Sequence, residues 1–453
     1  MILFHSNNDM AIISNDNNSS YLDILYKAKS ISDNLLSGII NERIITSNNS
    51  PYDFIISLLS IWFSKNTPVV MNPIFTTSQR KELIDELDFR YAFDEIIDGY
   101  ILKQSEINNP SDYDLNITST KDTALILFTS GSTSKPKSVE LIFSNLINNF
   151  HCINSLVPIK SNEKFGLTLP FYHIGGFQII FRAFFSGNAI VIPDSLKSND
   201  IFTSTQLHSV NYISIVSKTL FDLIESEYQF HQRLKAIFLG GGFSNNPFVI
   251  KAIERGMKIY KVYGSTETTS MITGFECNKF LDKIDSSGKP LFDVQIQIDK
   301  DGHILLKSGS VMKGYINYPN AYKETGWFNS FDFGHLDSDG FLFIDSRRED
   351  MIVSGGENIN LNEINNLISN HPSIISAFSF GKEDEKWGQI LYSAVLLKKG
   401  ISLTEEELKN FLKKQTVSYK IPKRIFFLDK FPLTELGKIK REELLKTIDS
   451  YLQ

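Results

Sequence analysis

Between residues 20 and 260, short apolar runs such as "PYDFIISLLSIWF", "TALILFT", "NAIVIP" and "LKAIFLGGG" alternate with helix-like segments. Runs this apolar suit strands buried on both faces, and parallel strands need long crossovers, so the alternation predicts an α/β domain with largely parallel sheets. From 285 to 346 the texture changes to short strands and tight turns. "VQIQIDKDGHILLKSG" and "GHLDSDGFLFID" read as hairpins around DG and SDG turns. Beyond 350 the pattern is compact α+β. Helices are marked there by Ile364, Leu367 and Ile368 and by Leu408, Phe411 and Leu412, with Thr404 and Glu407 as a capping box for the second. "IISAFSF", "ILYSAVLL" and "RIFFL" read as strands. A chain of 453 residues exceeds what one core supports. The polar run "DSRRED", residues 345 to 350, is where two units would part, a large N-terminal domain over 1–347 and a small one over 348–453.

A net charge of -6 provides no global basic field, which disfavours nucleic acid as the main partner; a small anionic ligand would need a local site. Two cysteines, Cys152 and Cys277, are too few for a disulfide framework and lack metal-type spacing, so both read as packed thiols. The N-terminus has a short apolar start without a basic region or cleavage site, and no run of eighteen apolar residues occurs. The expectation is a cytoplasmic protein without a membrane span. A homodimer is compatible with the sequence.

The chemistry concentrates first in "ILFTSGSTSKPKSVEL", residues 126 to 141. From Gly131 the spacing of a Walker A loop runs to Lys137 and Ser138, but Pro136 stands where the second glycine belongs. Proline cannot take glycine's positive backbone angles and lacks an N–H for the phosphate cradle. "SVELIF" reads as a strand, with the next helix starting at a Ser144 cap, so the loop joins two strands. Thr129, Ser130, Ser132, Thr133 and Ser134 still supply hydroxyls, Gly131 permits close approach, and Lys135 and Lys137 supply charge suited to polyphosphate.

"TSGSTSKPK" closely resembles the phosphate loop of the adenylate-forming superfamily, whose members include acyl-CoA ligases and peptide-synthetase adenylation domains. In that family's order the chain also carries "LPFYHIGG" at 169, "LGGGFS" at 239, "YGSTET" at 263, "FDFGHLDSDGFLF" at 331, "RREDMIVSGGENI" at 347 and "PLTELGKIKR" at 432. The resemblance implies a large α/β N-terminal domain with a small β-barrel-like region, and a small mobile C-terminal domain hinged at Asp350. ATP, Mg²⁺ and CoA are the implied cofactors and co-substrates, and a small carboxylic acid the implied substrate. Thr129, Ser130, Gly131, Ser132, Thr133 and Lys137 would hold the β- and γ-phosphates. Gly241 and Gly242 would lie along adenine, with Tyr263 stacked on it and Gly264 beside it. Thr266 would contact the α-phosphate, and Glu267 would be the Mg²⁺-associated carboxylate, a reasonable ligand for a hard cation. Asp332, helped by Arg348, would bind the ribose hydroxyls. Lys438 would reach the substrate carboxylate and α-phosphate, and Gly355 and Gly356 would lie on the CoA side.

One departure stands out: Ser330 and Phe331 occupy the place where the family usually has Thr-Gly before the ribose aspartate, which puts the geometry around Asp332 in question. The short length, "LPFYHIGGFQIIFRAFFSG" and "IVSGGENI" look most like the o-succinylbenzoate-CoA ligases of menaquinone synthesis. His173 resembles their gate between acyl and CoA sides, and Ser265 would line the acid pocket. Arg182 would face the acid's second carboxylate, although an internal Asp or Glu is the partner first expected of a buried arginine. A medium-chain or aryl acid-CoA ligase, an acyl-AMP ligase serving a carrier protein, and a catalytically silent nucleotide sensor remain open alternatives.

Overall fold

The computed structural model describes residues 9–15, 17–73, 75, 77–87, 89–93, 119–129, 137–226, 228–242, 246–316, 326–347, 350–354, 357–384, 388–434 and 439–451. In one sheet, strands Met10–Ile13, Ala189–Val191, Lys164–Gly166, Tyr212–Ile215, Ala236–Leu239 and Ile259–Ser265 run parallel in that order. Ser270–Glu276 then returns antiparallel to Ile259–Ser265. In a second, Tyr91–Ala92, Arg43–Thr46, Thr67–Val70 and Thr123–Thr129 are parallel. Lys137–Ile142 pairs antiparallel with Thr123–Thr129, and Gly314–Tyr315 with Lys137–Ile142. The serine-rich loop therefore joins two strands, as expected from its sequence.

Helices Pro51–Phe63, Phe143–Leu156 and Ile174–Ser186 share one continuous core with both sheets. Trp62 ties the layers together. Its indole N–H donates to the Ala124 carbonyl at 2.8 Å, and its ring lies against Phe143, Phe177 and Phe181.

Two sequence expectations fail locally. "PYDFIISLLSIWF", grouped with the strand-like runs, is the helix Pro51–Phe63. Phe54 through Trp62 are all buried, so the segment has no polar face to reveal its period. Its helical start was nevertheless written locally, because Ser50 accepts from the Asp53 N–H and Pro51 occupies the first turn. The expected Ser144 cap is replaced by Asn145, whose Oδ1 accepts from the Ile142 N–H at 2.9 Å and starts the helix at Phe143.

Strands Gln295–Ile298, His303–Lys307, Phe328–Leu336 and Leu342–Arg347 form an antiparallel sheet with both expected hairpins. The last strand carries the chain through the first part of "DSRRED". Beyond it, Met351–Ser354, Glu357–Asn360, Ile374–Asp384, Gly388–Leu397 and Arg424–Leu428 form a further sheet. Helices Leu361–Ser369 and Glu405–Lys413 pack on it around a separate core that includes Ile352, Ile364 and Leu408. The Thr404 and Glu407 capping box is present.

Both cysteines are buried, which pushes their thiols up to about 11 and leaves them as packed neutral groups. Among the described residues no helix is long and apolar enough to cross a membrane.

Candidate active site

The turn from Ser265 to Ser270 organises the site. The Thr268 hydroxyl accepts from the Ser265 N–H at 2.8 Å and shares its proton between the Ser265 and Ser270 carbonyls. The Thr269 hydroxyl donates to the Ser310 carbonyl at 2.6 Å. Thr269 and Ser270 both take positive φ, and Gly264 lies so close to the returning strand that a Cβ there would sit 1.9 Å from the Ser270 carbonyl oxygen. The turn thereby presents Thr266 and Glu267 outward. Thr266 is half-buried, and its hydroxyl has no hydrogen-bond partner among the described residues.

Glu267 and Lys137 meet at Tyr315. The Tyr315 hydroxyl donates to Glu267 Oε1 at 2.8 Å, and the Met312 N–H donates to the Glu267 carbonyl. Lys137 Nζ lies 5.2 Å from the Tyr315 ring centroid, within cation–π range. A lysine and a carboxylate with one oxygen held and the other without a partner among the described residues therefore converge on one tyrosine. That donor set suits a hard divalent cation held together with phosphate oxygens. Tyr315 was missed in the sequence because nothing in "GYINYPN" sets its phenol apart from a core tyrosine.

Tyr263 and Asp332 are brought into direct contact. The tyrosine hydroxyl donates to Asp332 Oδ2 at 2.6 Å, joining the large sheet to the antiparallel one. Ser330 and Phe331 lie in a bulge. The step from His303 to Leu305 is matched by the longer step from Phe333 to Asn329. The extra residues are pinned by side chains: Ser330 Oγ donates to the Ile304 carbonyl and accepts from the Asp332 N–H, and Asn329 Oδ1 accepts from the Phe331 N–H. Asp332 points inward at 5% exposure. Phe331 is turned outward with φ of 62°.

His173 starts the helix Ile174–Ser186, half-buried, with its ring 5.0 Å from that of Tyr172. Arg182 lies on the same helix at 2% exposure. The expected carboxylate partner is not what it finds: Nη2 donates to Asn149 Oδ1 at 2.9 Å, and among the described residues Nε has no partner. Burial pulls the guanidinium below its ordinary range. One turn earlier, both amide atoms of Gln178 are buried and unpartnered among the described residues. Asn149 in turn donates to the Met271 carbonyl, and Met271 pairs with Gly264 across the hairpin. Arg182 is thus two hydrogen bonds from the Thr266 turn.

Gly241 follows the strand Ala236–Leu239 with φ of 87°, a conformation that favours glycine, and Gly242 continues the loop. Asp350 accepts from Asn362 Nδ2 at 3.0 Å and lies 3.9 Å from Arg441 Nη1. Ser130, Gly131, Ser132, Thr133, Arg348, Gly355, Gly356 and Lys438 lie outside the described residues.

The chain matches the family model described as AMP-binding enzyme over residues 5–316 and that of the AMP-binding enzyme C-terminal domain over 363–438. It belongs to this AMP-binding enzyme family, of the adenylate-forming CoA-ligase type. A relative from Bacillus cereus (strain AH820), a 2-succinylbenzoate--CoA ligase, is 32% identical over 81% of this chain and 78% of its own. The o-succinylbenzoate CoA synthetase of Bacillus subtilis in complex with the acyl-adenylate intermediate OSB-AMP superposes with a TM-score of 0.85 at 26% identity, covering 96% of this chain and 95% of that one. The same Bacillus subtilis enzyme in complex with ATP and magnesium ion gives 0.84 at 26% identity, covering 96% of each chain. The superfamily resemblance read from the motifs is borne out.

Gly264→Ala places a methyl against immovable backbone. The variant should lose several kcal/mol of stability, about 2 to 4 by the usual cost of overpacking and a strained backbone, and a urea titration showing a shift under 1 kcal/mol would refute the close approach.

Proposed function

We propose that the protein is an ATP-dependent 2-succinylbenzoate-CoA ligase, built from an N-terminal adenylation domain over 1–347 and a small C-terminal domain over 348–453, hinged at Asp350. The observation that carries the reading is the meeting of Lys137 and Glu267 at Tyr315, beside the open hydroxyl of Thr266. A cation, a carboxylate and a hydroxyl on one wall form a place for a magnesium-bound polyphosphate. The Tyr263 and Asp332 pair supports the adjoining adenosine position. Burial of the cysteines as free thiols accords with a cytoplasmic location.

In the first step a substrate carboxylate oxygen attacks the α-phosphorus, and pyrophosphate leaves. Lys137 and the loop from Thr129 to Thr133 orient the β- and γ-phosphates, Thr266 donates to the α-phosphate, and Asp332 accepts from the ribose hydroxyls. Magnesium held at Glu267 would supply charge neutralisation on the phosphate oxygens. Lys438 would act on oxygens whose charge grows during attack, and a cation there stabilises the transition state more than the ground state. In the second step the CoA sulfur attacks the acyl carbon and AMP leaves, with Gly355 and Gly356 giving the pantetheine arm room and His173 standing between the acyl and CoA sides. Arg182, buried with no carboxylate partner among the described residues, would bind the second carboxylate of the acid, with Ser265 on the pocket wall.

ATP-dependent pyrophosphate release, measured over o-succinylbenzoate, benzoates and C4 to C12 fatty acids with and without CoA, should be strongest with o-succinylbenzoate, and AMP release should require CoA. Preference for a monoacid would overturn the substrate and leave the reaction class. Lys438→Ala should lower adenylation by about 10²- to 10³-fold while preserving thioester formation from preformed acyl-AMP; equal loss in both half-reactions removes the assignment. Arg182→Leu should raise KM for the dicarboxylic acid by at least about tenfold, the scale of one charge-assisted hydrogen bond. An unchanged KM would return Arg182 to a purely structural role.

A further inference from the structure

Phe331 has two properties that a residue with no task would not combine. Its backbone takes φ of 62°, a region that a bulky side chain enters at a cost and keeps only where surrounding structure imposes it. Its ring is nevertheless 51% exposed, so burial of apolar surface does not repay that cost. The strained residue lies in the bulge next to buried Asp332, stapled by Asn329 and Ser330. The ring is carried to a particular place: its centroid lies 5.8 Å from Lys137 Nζ. Tyr315 faces the same ammonium at 5.2 Å. Among the described residues no carboxylate pairs with Lys137.

We propose that Phe331 is a positioning residue for Lys137, forming with Tyr315 an aromatic clamp that aims the ammonium at the polyphosphate of ATP. The inference rests on the reading of Lys137 as a phosphate ligand. The physical logic is a choice of partner. A carboxylate beside Lys137 would hold it in place but neutralise the charge that the phosphates need. Two ring faces attract the cation through their quadrupoles and add no net charge, so the lysine is pre-ordered and still fully cationic when phosphate arrives. Pre-ordering a four-carbon side chain removes part of the entropy cost of binding. The same strained bulge therefore serves two contacts, Asp332 on its inner side and the Phe331 ring on its outer side.

Calorimetric titration of Mg·ATP without acid or CoA separates this proposal from the choice of substrate. Phe331→Leu keeps bulk and strain but loses the π face, and should raise the ATP Kd by about 2- to 5-fold, the range of an exposed cation–π contact. Phe331→Gly, which fits the left-handed backbone without strain, should show the same loss with no lower melting temperature, whereas Phe331→Trp should bind as wild type. In a Lys137→Met background, Phe331→Leu should have no further effect, because its influence runs through the ammonium. Wild-type affinity in the Leu or Gly variant, or a Leu effect that persists without Lys137, overturns the clamp. Failure of the unaltered protein to bind Mg·ATP overturns the nucleotide reading and the clamp together.

Discussion

A single hydroxyl holds the centre of this molecule in shape. Thr268, at 1% exposure, closes the turn between two strands by bonding the Ser265 N–H and the carbonyls of Ser265 and Ser270. Inside a dry core such a hydroxyl has no water to fall back on, and an unmade bond there costs about 1 to 3 kcal/mol. The turn is consequently one rigid object, further fixed by Thr269 on Ser310. Tyr263, Thr266 and Glu267 all take their directions from it, and through Glu267 and Tyr315 so does the strand pair that carries Lys137. Chemistry that depends on distances of a few tenths of an ångström is served by a scaffold with few soft degrees of freedom.

Two sheets with different origins meet at this object. The parallel sheet ends in the Tyr263 hairpin, and the antiparallel sheet arrives through Asp332, so the 2.6 Å bond between them is also the seam of the domain. The bulge at Ser330 and Phe331 is the local adjustment that makes the seam fit. Asp332 shares its buried face with Phe328 and Gly334, as period-two alternation requires, and the two extra residues opposite His303 and Leu305 leave that phase unchanged.

The architecture was legible where the sequence carries period or punctuation. Alternation marked the parallel sheets, the DG and SDG turns marked the hairpins, and Thr404 with Glu407 marked a helix start. It failed at Pro51–Phe63, because a helix buried on every side loses its amphipathic signature, and at Ser144, because the next residue, Asn145, reached back to the Ile142 N–H instead. In the candidate site, the motif residues could be named from the sequence but the side chains that support them could not. Tyr315, Thr268 and Asn149 are ordinary letters whose importance lies in what they touch, and contact across the fold leaves no local trace. Phe331 is the converse case: the letter looked wrong for its motif, and only its backbone angle reveals a conformation that glycine would adopt without strain.

The core around Arg182 shows how polarity is distributed in this protein. Nearby buried polar groups are satisfied: the Tyr21 hydroxyl donates to the Ala183 carbonyl, and the Asn145 amide to the carbonyls of Gly309 and Val311. Arg182 Nε and the Gln178 amide break the pattern among the described residues, one helical turn apart and therefore on one face. Leaving three such atoms unmet would weaken a fold whose whole margin is about 5 to 15 kcal/mol, and hydrophobic replacements would fit the surrounding phenylalanines. Their presence is economical only if something else completes them. A guanidinium N–H and an amide directed from one helix face offer donors to one anionic group, and a carboxylate would also restore the charge balance that burial of the arginine upsets. These unpartnered atoms are the physical ground for the role proposed above for Arg182 toward the acid's second carboxylate.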